Sequence, residues 1–65
     1  MKITLNGAPH ELSGPTVQDA LAEIGLAEAR VATALNGVFL PADQRALTPL
    51  GDGDALEVVA PMQGG

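Results

Sequence analysis

The sequence contains no cysteine, which excludes disulfides, thiolate metal sites and cysteine nucleophiles. Basic and aromatic residues are also scarce: eight acids face only Lys2, Arg30 and Arg45, and Phe39 is the single aromatic residue. Nucleic-acid binding needs a basic face and usually aromatic stacking, so we expect no nucleic-acid partner. The net charge of −5 is suited to a basic protein partner, or it simply keeps a small domain in solution.

Long hydrophobic runs are absent as well. No apolar stretch approaches the roughly 18 residues of a membrane span, and Met1-Lys2 opens directly into an alternating pattern rather than a signal sequence. We therefore expect a cytoplasmic protein without a membrane partner. The 65 residues allow one small domain with little room for an internal catalytic cavity. A hydrophobic fraction of 46% favours a compact fold over disorder.

What the sequence does contain is a repeated turn signal. The triplet Leu-Asn-Gly occurs at residues 5–7 and again at 35–37, each time between strand-like runs. Asn-Gly provides the two positive-φ residues of a type I′ turn, the strongest short-range indication of a β-hairpin. The predicted strand pairs are Lys2–Leu5 with Ala8–Leu12 and Val31–Leu35 with Val38–Leu40.

One helix is predicted between the two hairpins. Thr16 is a favourable N-cap, and Asp19 three residues later completes a capping-box-like pair. Four apolar residues follow helical spacing and form one stripe: Val17, Ala20, Leu21 and Ile24. Gly25 is placed to end the helix in a left-handed conformation.

The segment after the second hairpin is predicted as an irregular crossing, Pro41–Leu50, with Leu47 and Leu50 fixed to the core. A turn follows in which Asp52 and Asp54 alternate with glycines. An EF-hand-type loop needs more oxygen ligands than these two residues provide, so we interpret the segment as a turn rather than a cation site.

The last strand is predicted from Ala55 to about Ala60, and alternation divides its residues between two faces. Leu56, Val58 and Ala60 are expected to point inward, and Glu57, Val59 and Pro61 outward. Because one helix covers only one face of a sheet, the other face stays open. We therefore predict a partner-docking surface formed by Glu57, Val59 and Phe39, with core burial as the alternative for the two apolar residues.

The order of hairpin, helix, hairpin, crossing segment and strand predicts an α+β fold. A mixed sheet of about five strands would place the last strand centrally, parallel to the first, with the helix packed on one face. This is the ubiquitin-like β-grasp arrangement. We expect residues 1–60 to form this domain and residues 61–65 to form a flexible C-terminal tail ending in Gly64-Gly65. From Pro61 the tail reaches at most about 16 Å.

No catalytic constellation can be assembled from the remaining residues. His10 is the only histidine, and its neighbour Glu11 points to the opposite face of a strand. A Ser-His-Asp set, a phosphate loop and a pair of spaced carboxylates are all missing. We therefore predict a protein that is not an enzyme and that holds neither a metal nor a cofactor of its own.

A small β-grasp domain ending in Gly-Gly resembles the ubiquitin-like sulfur carriers, and within them the thiamin-pathway ThiS family. The resemblance covers the whole chain and is most specific at Val59–Gly65, Ala34–Gly37 and Gly51–Asp54. The small subunit of molybdopterin synthase, MoaD, shares the fold and the Gly-Gly end and is the alternative. A ubiquitin-like protein modifier and a purely structural domain are two further hypotheses.

The resemblance implies a sulfur carrier for thiamin thiazole biosynthesis. A ThiF-like adenylating enzyme would use ATP to activate the carboxylate of Gly65. A persulfide donor linked to cysteine desulfurase would convert it to a thiocarboxylate, and a ThiG-like thiazole synthase would receive the sulfur. Met62, Gln63 and Gly64 would lie inside the partner's active site. Without cysteine, the carried sulfur must sit on the terminal carboxylate.

Overall fold

The computed structural model describes residues 1–60, which form a mixed sheet covered on one face by a helix. The strands of these residues are β1 (Lys2–Leu5), β2 (Ala8–Glu11), β3 (Ala32–Leu35), β4 (Val38–Leu40) and β5 (Ala55–Val59). They follow the order β2-β1-β5-β3-β4. The central strand β5 is parallel to β1 and antiparallel to β3. The predicted β-grasp arrangement is therefore confirmed.

Both hairpins turn at their Asn-Gly pair. The φ angles are 51° at Asn6 and 83° at Gly7, and 52° at Asn36 and 84° at Gly37. Two consecutive positive φ values define the type I′ turn, whose twist matches that of the flanking strands. The two predicted hairpins are confirmed, with strand ends that differ from prediction by a single residue.

Helix α1 (Val17–Glu23) is fixed at both ends by local interactions. The hydroxyl of Thr16 accepts a hydrogen bond from the backbone N–H of Asp19 at 3.2 Å, while the Asp19 carboxylate accepts one from the backbone N–H of Thr16 at 3.0 Å. At the other end Gly25 has a φ of 82°, and the N–H of Leu26 donates to the carbonyl of Leu21 at 2.7 Å. This is the capping box and the left-handed stop that the sequence predicts.

The core lies between α1 and one face of the sheet, which we call the inner face. Its buried hydrophobic residues are Ile3, Leu12, Val17, Ala20, Leu21, Leu50, Leu56 and Val58. The apolar stripe of the helix thus packs on the sheet as predicted, with Ile24 half-buried at its end. The opposite face, the outer face, has no helix over it among the described residues.

The crossing segment differs from the prediction. It contains a 3₁₀ helix, Ala42–Leu47, and Leu47 is 73% exposed, so the prediction that Leu47 packs into the core was wrong. Arg45 turns inward instead, since a 3₁₀ helix with three residues per turn cannot bury both positions. Its Nε donates to the Thr33 hydroxyl at 2.9 Å and its Nη2 donates to the Val31 carbonyl at 2.6 Å. A polar anchor therefore holds this segment.

The end of the last strand also differs. β5 ends at Val59, and Ala60 is exposed rather than inward-facing, so that prediction was wrong. The reason lies in the neighbouring strand: β3 begins at Ala32, which pairs with Val59, and no earlier β3 residue is available to pair with Ala60.

The predicted tail, residues 61–65, lies outside the described residues. The candidate modification site Gly65 and the candidate channel residues Met62, Gln63 and Gly64 all fall in this segment. None of the helices within residues 1–60 has the length and hydropathy needed to cross a membrane.

Candidate partner-binding surface

The outer face contains a shallow groove built on the alanines of β3. Ala34 pairs with Phe39 on one side and with Glu57 on the other, and Ala32 pairs with Val59. Directly paired residues lie side by side on the same face, so two small side chains form a low floor between larger neighbours. This outer groove encloses about 420 Å³ and is lined by Asn6, Ala32, Thr33, Ala34, Phe39, Glu57 and Val59.

The structure brings together all three residues predicted for the docking surface. Phe39 is 67% exposed and Val59 is 61% exposed, which excludes core burial as the reason for their apolar character. Glu57 is exposed between them and contributes a carboxylate. Leaving two large apolar side chains in water on one continuous surface is typical of a protein-binding site.

The chemistry of the outer groove suits a partner that is apolar with a basic rim. Its walls are the Phe39 ring and the Val59 side chain, and its ionisable lining residue is Glu57. An apolar centre with a charged edge is the common anatomy of a transient interface. The charge of −5 on the chain would steer a basic partner surface toward it.

Sequence reasoning missed four of the residues that line the groove: Asn6, Ala32, Thr33 and Ala34. The sequence predicts Ala32, Thr33 and Ala34 to be strand residues and Asn6 to be a turn residue, but none of these predictions indicates a binding surface. The alternation of small side chains in Ala32–Ala34 was the available signal, since small residues on an exposed strand face leave room for a partner. Asn6 could not have been found without knowing the pairing of β1 with β5.

The other candidate chemical residues, His10, Asp52 and Asp54, do not line the outer groove. His10 is exposed on the edge strand β2. The Asp52 carboxylate accepts a hydrogen bond from the backbone N–H of Lys2 at 2.7 Å. The pKa of Asp54 is lowered because its carboxylate accepts from the backbone N–H of Gly51 and from the side-chain amide of Asn36. Residues 1–60 contain no group of three or more potential ligands that could hold a metal ion.

Comparison with known proteins identifies the family. The family model described as the ThiS family matches residues 3–65, which is nearly the whole chain. The chain belongs to the ThiS family. The sulfur carrier protein ThiS of Thermus thermophilus is 43% identical over 63 residues, covering 97% of this chain and 98% of that protein.

Solved structures agree with this ThiS assignment. The crystal structure of the thiamine biosynthesis protein ThiS from Geobacter metallireducens is 35% identical, with a TM-score of 0.85 and 100% coverage of both chains. An NMR solution structure of a thiamine biosynthesis protein from the same organism gives a TM-score of 0.78 at 35% identity, covering 100% of this chain and 88% of that chain. The ThiS family is one of sulfur carriers for thiamine biosynthesis rather than of catalytic enzymes.

Proposed function

We propose that this chain carries sulfur for thiamin thiazole formation as a thiocarboxylate on Gly65. Its membership in the ThiS family is the observation that carries the proposal, because the family match extends through residue 65. The name of the Thermus relative, sulfur carrier protein ThiS, favours the thiamin role over the MoaD alternative.

The chemistry requires activation of a carboxylate. A carboxylate resists nucleophilic attack because its negative charge must be overcome and oxide expelled. A ThiF-like partner would use ATP to form an acyl-adenylate on Gly65, which converts the oxygen into part of a good leaving group. The terminal sulfur of a persulfide, derived from cysteine desulfurase, would attack the acyl carbon and displace AMP, giving an acyl disulfide. A second thiol of the partner would then cleave its S–S bond, which releases the thiocarboxylate and leaves a disulfide on the partner. The resulting thiocarboxylate is an anionic nucleophile that a ThiG-like thiazole synthase can use.

The proposed division of labour assigns the chemistry to the partners and delivery to this chain. Ordering residues 62–65 in a narrow active site costs about 1–2 kcal/mol for each residue in backbone entropy. Binding of the folded domain through the outer groove would offset that cost. Glycine at positions 64 and 65 has no Cβ, so the end of the chain could pass where no other residue fits. The chain itself needs no cofactor, and we place it in the cytoplasm, where ATP is available to the partner.

The proposal is tested by loading the purified protein. It is incubated with a ThiF-like adenylating enzyme, ATP and a persulfide donor, and its intact mass is recorded. We expect one oxygen to be replaced by one sulfur, and the mass of the terminal peptide to place that change on Gly65. A protein that retains its original mass while a known ThiS protein is loaded in parallel contradicts the proposal.

Two variants sharpen this test. Gly65→Ala should unfold at the same urea concentration as the unmodified protein, because residue 65 follows the last strand, yet it should load poorly. Deletion of Gly65 should abolish loading. A pull-down with thiazole synthase and with the large subunit of molybdopterin synthase separates the thiamin from the MoaD-type role, and capture of only the latter contradicts the thiamin assignment.

A further inference from the structure

The two Leu-Asn-Gly turns do more than reverse the chain: each asparagine side chain also binds the central strand β5. At the beginning of β5, the Oδ1 of Asn36 accepts a hydrogen bond from the N–H of Ala55 at 2.9 Å. At its end, the Oδ1 of Asn6 accepts one from the N–H of Val58 at 2.8 Å, and the Nδ2 of Asn6 donates to the carbonyl of Val58 at 3.0 Å. The two turns thus hold opposite ends of one strand.

The contact made by Asn6 replaces a missing strand residue. The backbone groups of Val58 face the β1 side of the sheet, but β1 ends at Leu5 and the chain then turns. Left alone, a strand N–H and carbonyl at this position would lack partners. A primary amide carries the same donor and acceptor as a peptide group, so the Asn6 side chain continues the ladder by one rung.

The hydrogen bonds between Asn6 and Val58 lie next to the point where the chain leaves the sheet. Val58 is followed by Val59, the last residue of β5, and then by the segment that ends in Gly65. On its β3 side, β5 is paired as far as Val59 with Ala32. On its β1 side, the last bonds are those of Asn6 with Val58. Asn6 therefore determines how far β5 is held from both sides.

We propose that Asn6 is a positioning residue for the C-terminal segment, acting through Val58 to fix where and in which direction the chain leaves the sheet. This inference rests on the proposed function, in which Gly65 must reach a reacting phosphate in the partner's active site. Holding a reactant in the correct geometry accelerates reaction strongly, and small displacements lose much of that gain. Asn6 would thus influence the chemistry at Gly65 without touching it.

The test compares Asn6→Gly with Asn36→Gly. Glycine adopts the positive φ of both turn positions, so each variant keeps its type I′ turn and loses only the side-chain amide. Both retain their backbone hydrogen bonds to β5, from Asn6 to Leu56 and from Asn36 to Ala55. Each variant loses two side-chain hydrogen bonds, since the Asn36 amide also donates to Asp54. The pair is matched in turn type and in the number of side-chain hydrogen bonds lost; it differs in the end of β5 that is released and in Asn6 also lining the outer groove.

Steady-state loading by the adenylating enzyme is measured at a temperature at which both variants are fully folded. We expect Asn6→Gly to lower kcat about tenfold with KM changed less than twofold, because the reactant is misplaced while Phe39, Glu57 and Val59, the predicted docking residues of the groove, are retained. Asn36→Gly should change both constants less than twofold. Hydrogen exchange at the Val59 amide should be about tenfold faster in Asn6→Gly than in Asn36→Gly, because the strand end is held from one side only.

Three results would overturn the proposal. Unchanged loading by Asn6→Gly would show that Asn6 has no positioning role. An equal loss of kcat in Asn6→Gly and Asn36→Gly would show that both act only through stability. A raised KM with unchanged kcat in Asn6→Gly would show that Asn6 contacts the partner directly. If the unmodified protein is not loaded at all, the proposed function fails. Hydrogen exchange then decides the positioning role by itself, and equal exchange at Val59 in the two variants would refute it.

Discussion

The two faces of β5 place neighbouring residues in opposite environments. Leu56 is fully buried and Val58 is 8% exposed on the inner face, while Val59 on the outer face is 61% exposed. All three are aliphatic, and they lie within four consecutive positions of one strand. Burial explains the first two, but it cannot explain Val59. The comparison shows that one strand both anchors the core and presents an apolar side chain outward.

Each face also contains an exception to its main character. On the apolar inner face, the Thr33 hydroxyl accepts a hydrogen bond from Arg45 and donates one to the Leu40 carbonyl at 2.8 Å. Thr33 and Arg45 are the two buried polar residues among residues 1–60. Within residues 1–60, no buried side-chain nitrogen or oxygen lacks a hydrogen-bond partner. On the outer face, the exceptions are the exposed Phe39 and Val59. The polar side chains of the inner face, Thr33 and Arg45, have hydrogen-bond partners inside the fold. The apolar side chains of Phe39 and Val59 on the outer face remain exposed and could be covered by a partner.

The largest expected effect comes from truncating the inner face. Leu56→Ala should lower the free energy of unfolding by about 3 kcal/mol, because it deletes a fully buried side chain and leaves a cavity. Val59→Ala, three residues later in the same strand, should change it by no more than about 0.5 kcal/mol. Urea unfolding measures both. Similar losses in the two variants would mean that the outer face is packed in solution, which would end the contrast.

A smaller loss is expected at the polar exception of the inner face. Arg45→Ala should lower the free energy of unfolding by about 2 kcal/mol, because the buried Thr33 hydroxyl and the partly buried Val31 carbonyl both lose their donor. Arg30→Ala is the matched control, since Arg30 is exposed. Urea unfolding of both variants gives the difference. If Arg45→Ala were as stable as Arg30→Ala, burial of Leu50 and the backbone hydrogen bonds of Thr48 and Leu50, rather than Arg45, would hold the crossing segment.

Much of the fold could be predicted because its signals are local. The Asn-Gly turns, the Thr16–Asp19 capping box and the Gly25 stop each depend on residues within a few positions of one another. Alternation along the last strand likewise predicted the outward direction of Val59. Arg45 could not be recognised in this way. Its partners Thr33 and Val31 are 12 and 14 positions away, and no periodic pattern indicates a buried guanidinium.

The candidate site was predictable only in part for the same reason. Glu57 and Val59 follow from alternation alone, but their association with Phe39 depends on Ala34, which pairs with both Phe39 and Glu57. The contact of Asn6 with Val58 spans 52 positions. Strand register fixes such contacts, and the sequence predicts register less well than it predicts turns.

The outer face should respond in binding rather than in stability. Phe39→Ala should weaken binding to the adenylating partner by about 1.5 kcal/mol, since aromatic side chains at interface centres contribute most. Val38→Ala is a matched control: Val38 is 69% exposed, similar to Phe39, but it pairs with Leu35 and points to the other face. Titration calorimetry measures both affinities. Equal weakening by the two variants would show that the edge strand, rather than the outer groove, contacts the partner.

The smallest expected effect is a loss of stability at acidic pH. It should act through Asp19, which caps the helix over the inner face, and Asp54, which lies in the turn before β5. The pKa of Asp19 is lowered by the hydrogen bonds that its carboxylate accepts from the backbone N–H and the hydroxyl of Thr16, and Gly51 and Asn36 lower that of Asp54. The unfolded state therefore binds these protons at higher pH than the folded state does. Their contribution to stability is complete above the ordinary aspartate pKa of about 3.9 and is lost as the pH falls through the lowered values.

Urea midpoints measured from neutral to strongly acidic pH should decline less steeply for Asp19→Asn and Asp54→Asn than for the unmodified protein. Parallel curves would show that these carboxylates do not couple folding to pH. Asp19 caps the helix that covers the inner face, and Asp54 lies in the turn before β5. A shallower decline in these variants would therefore link acid sensitivity to the packing of the helix on the inner face.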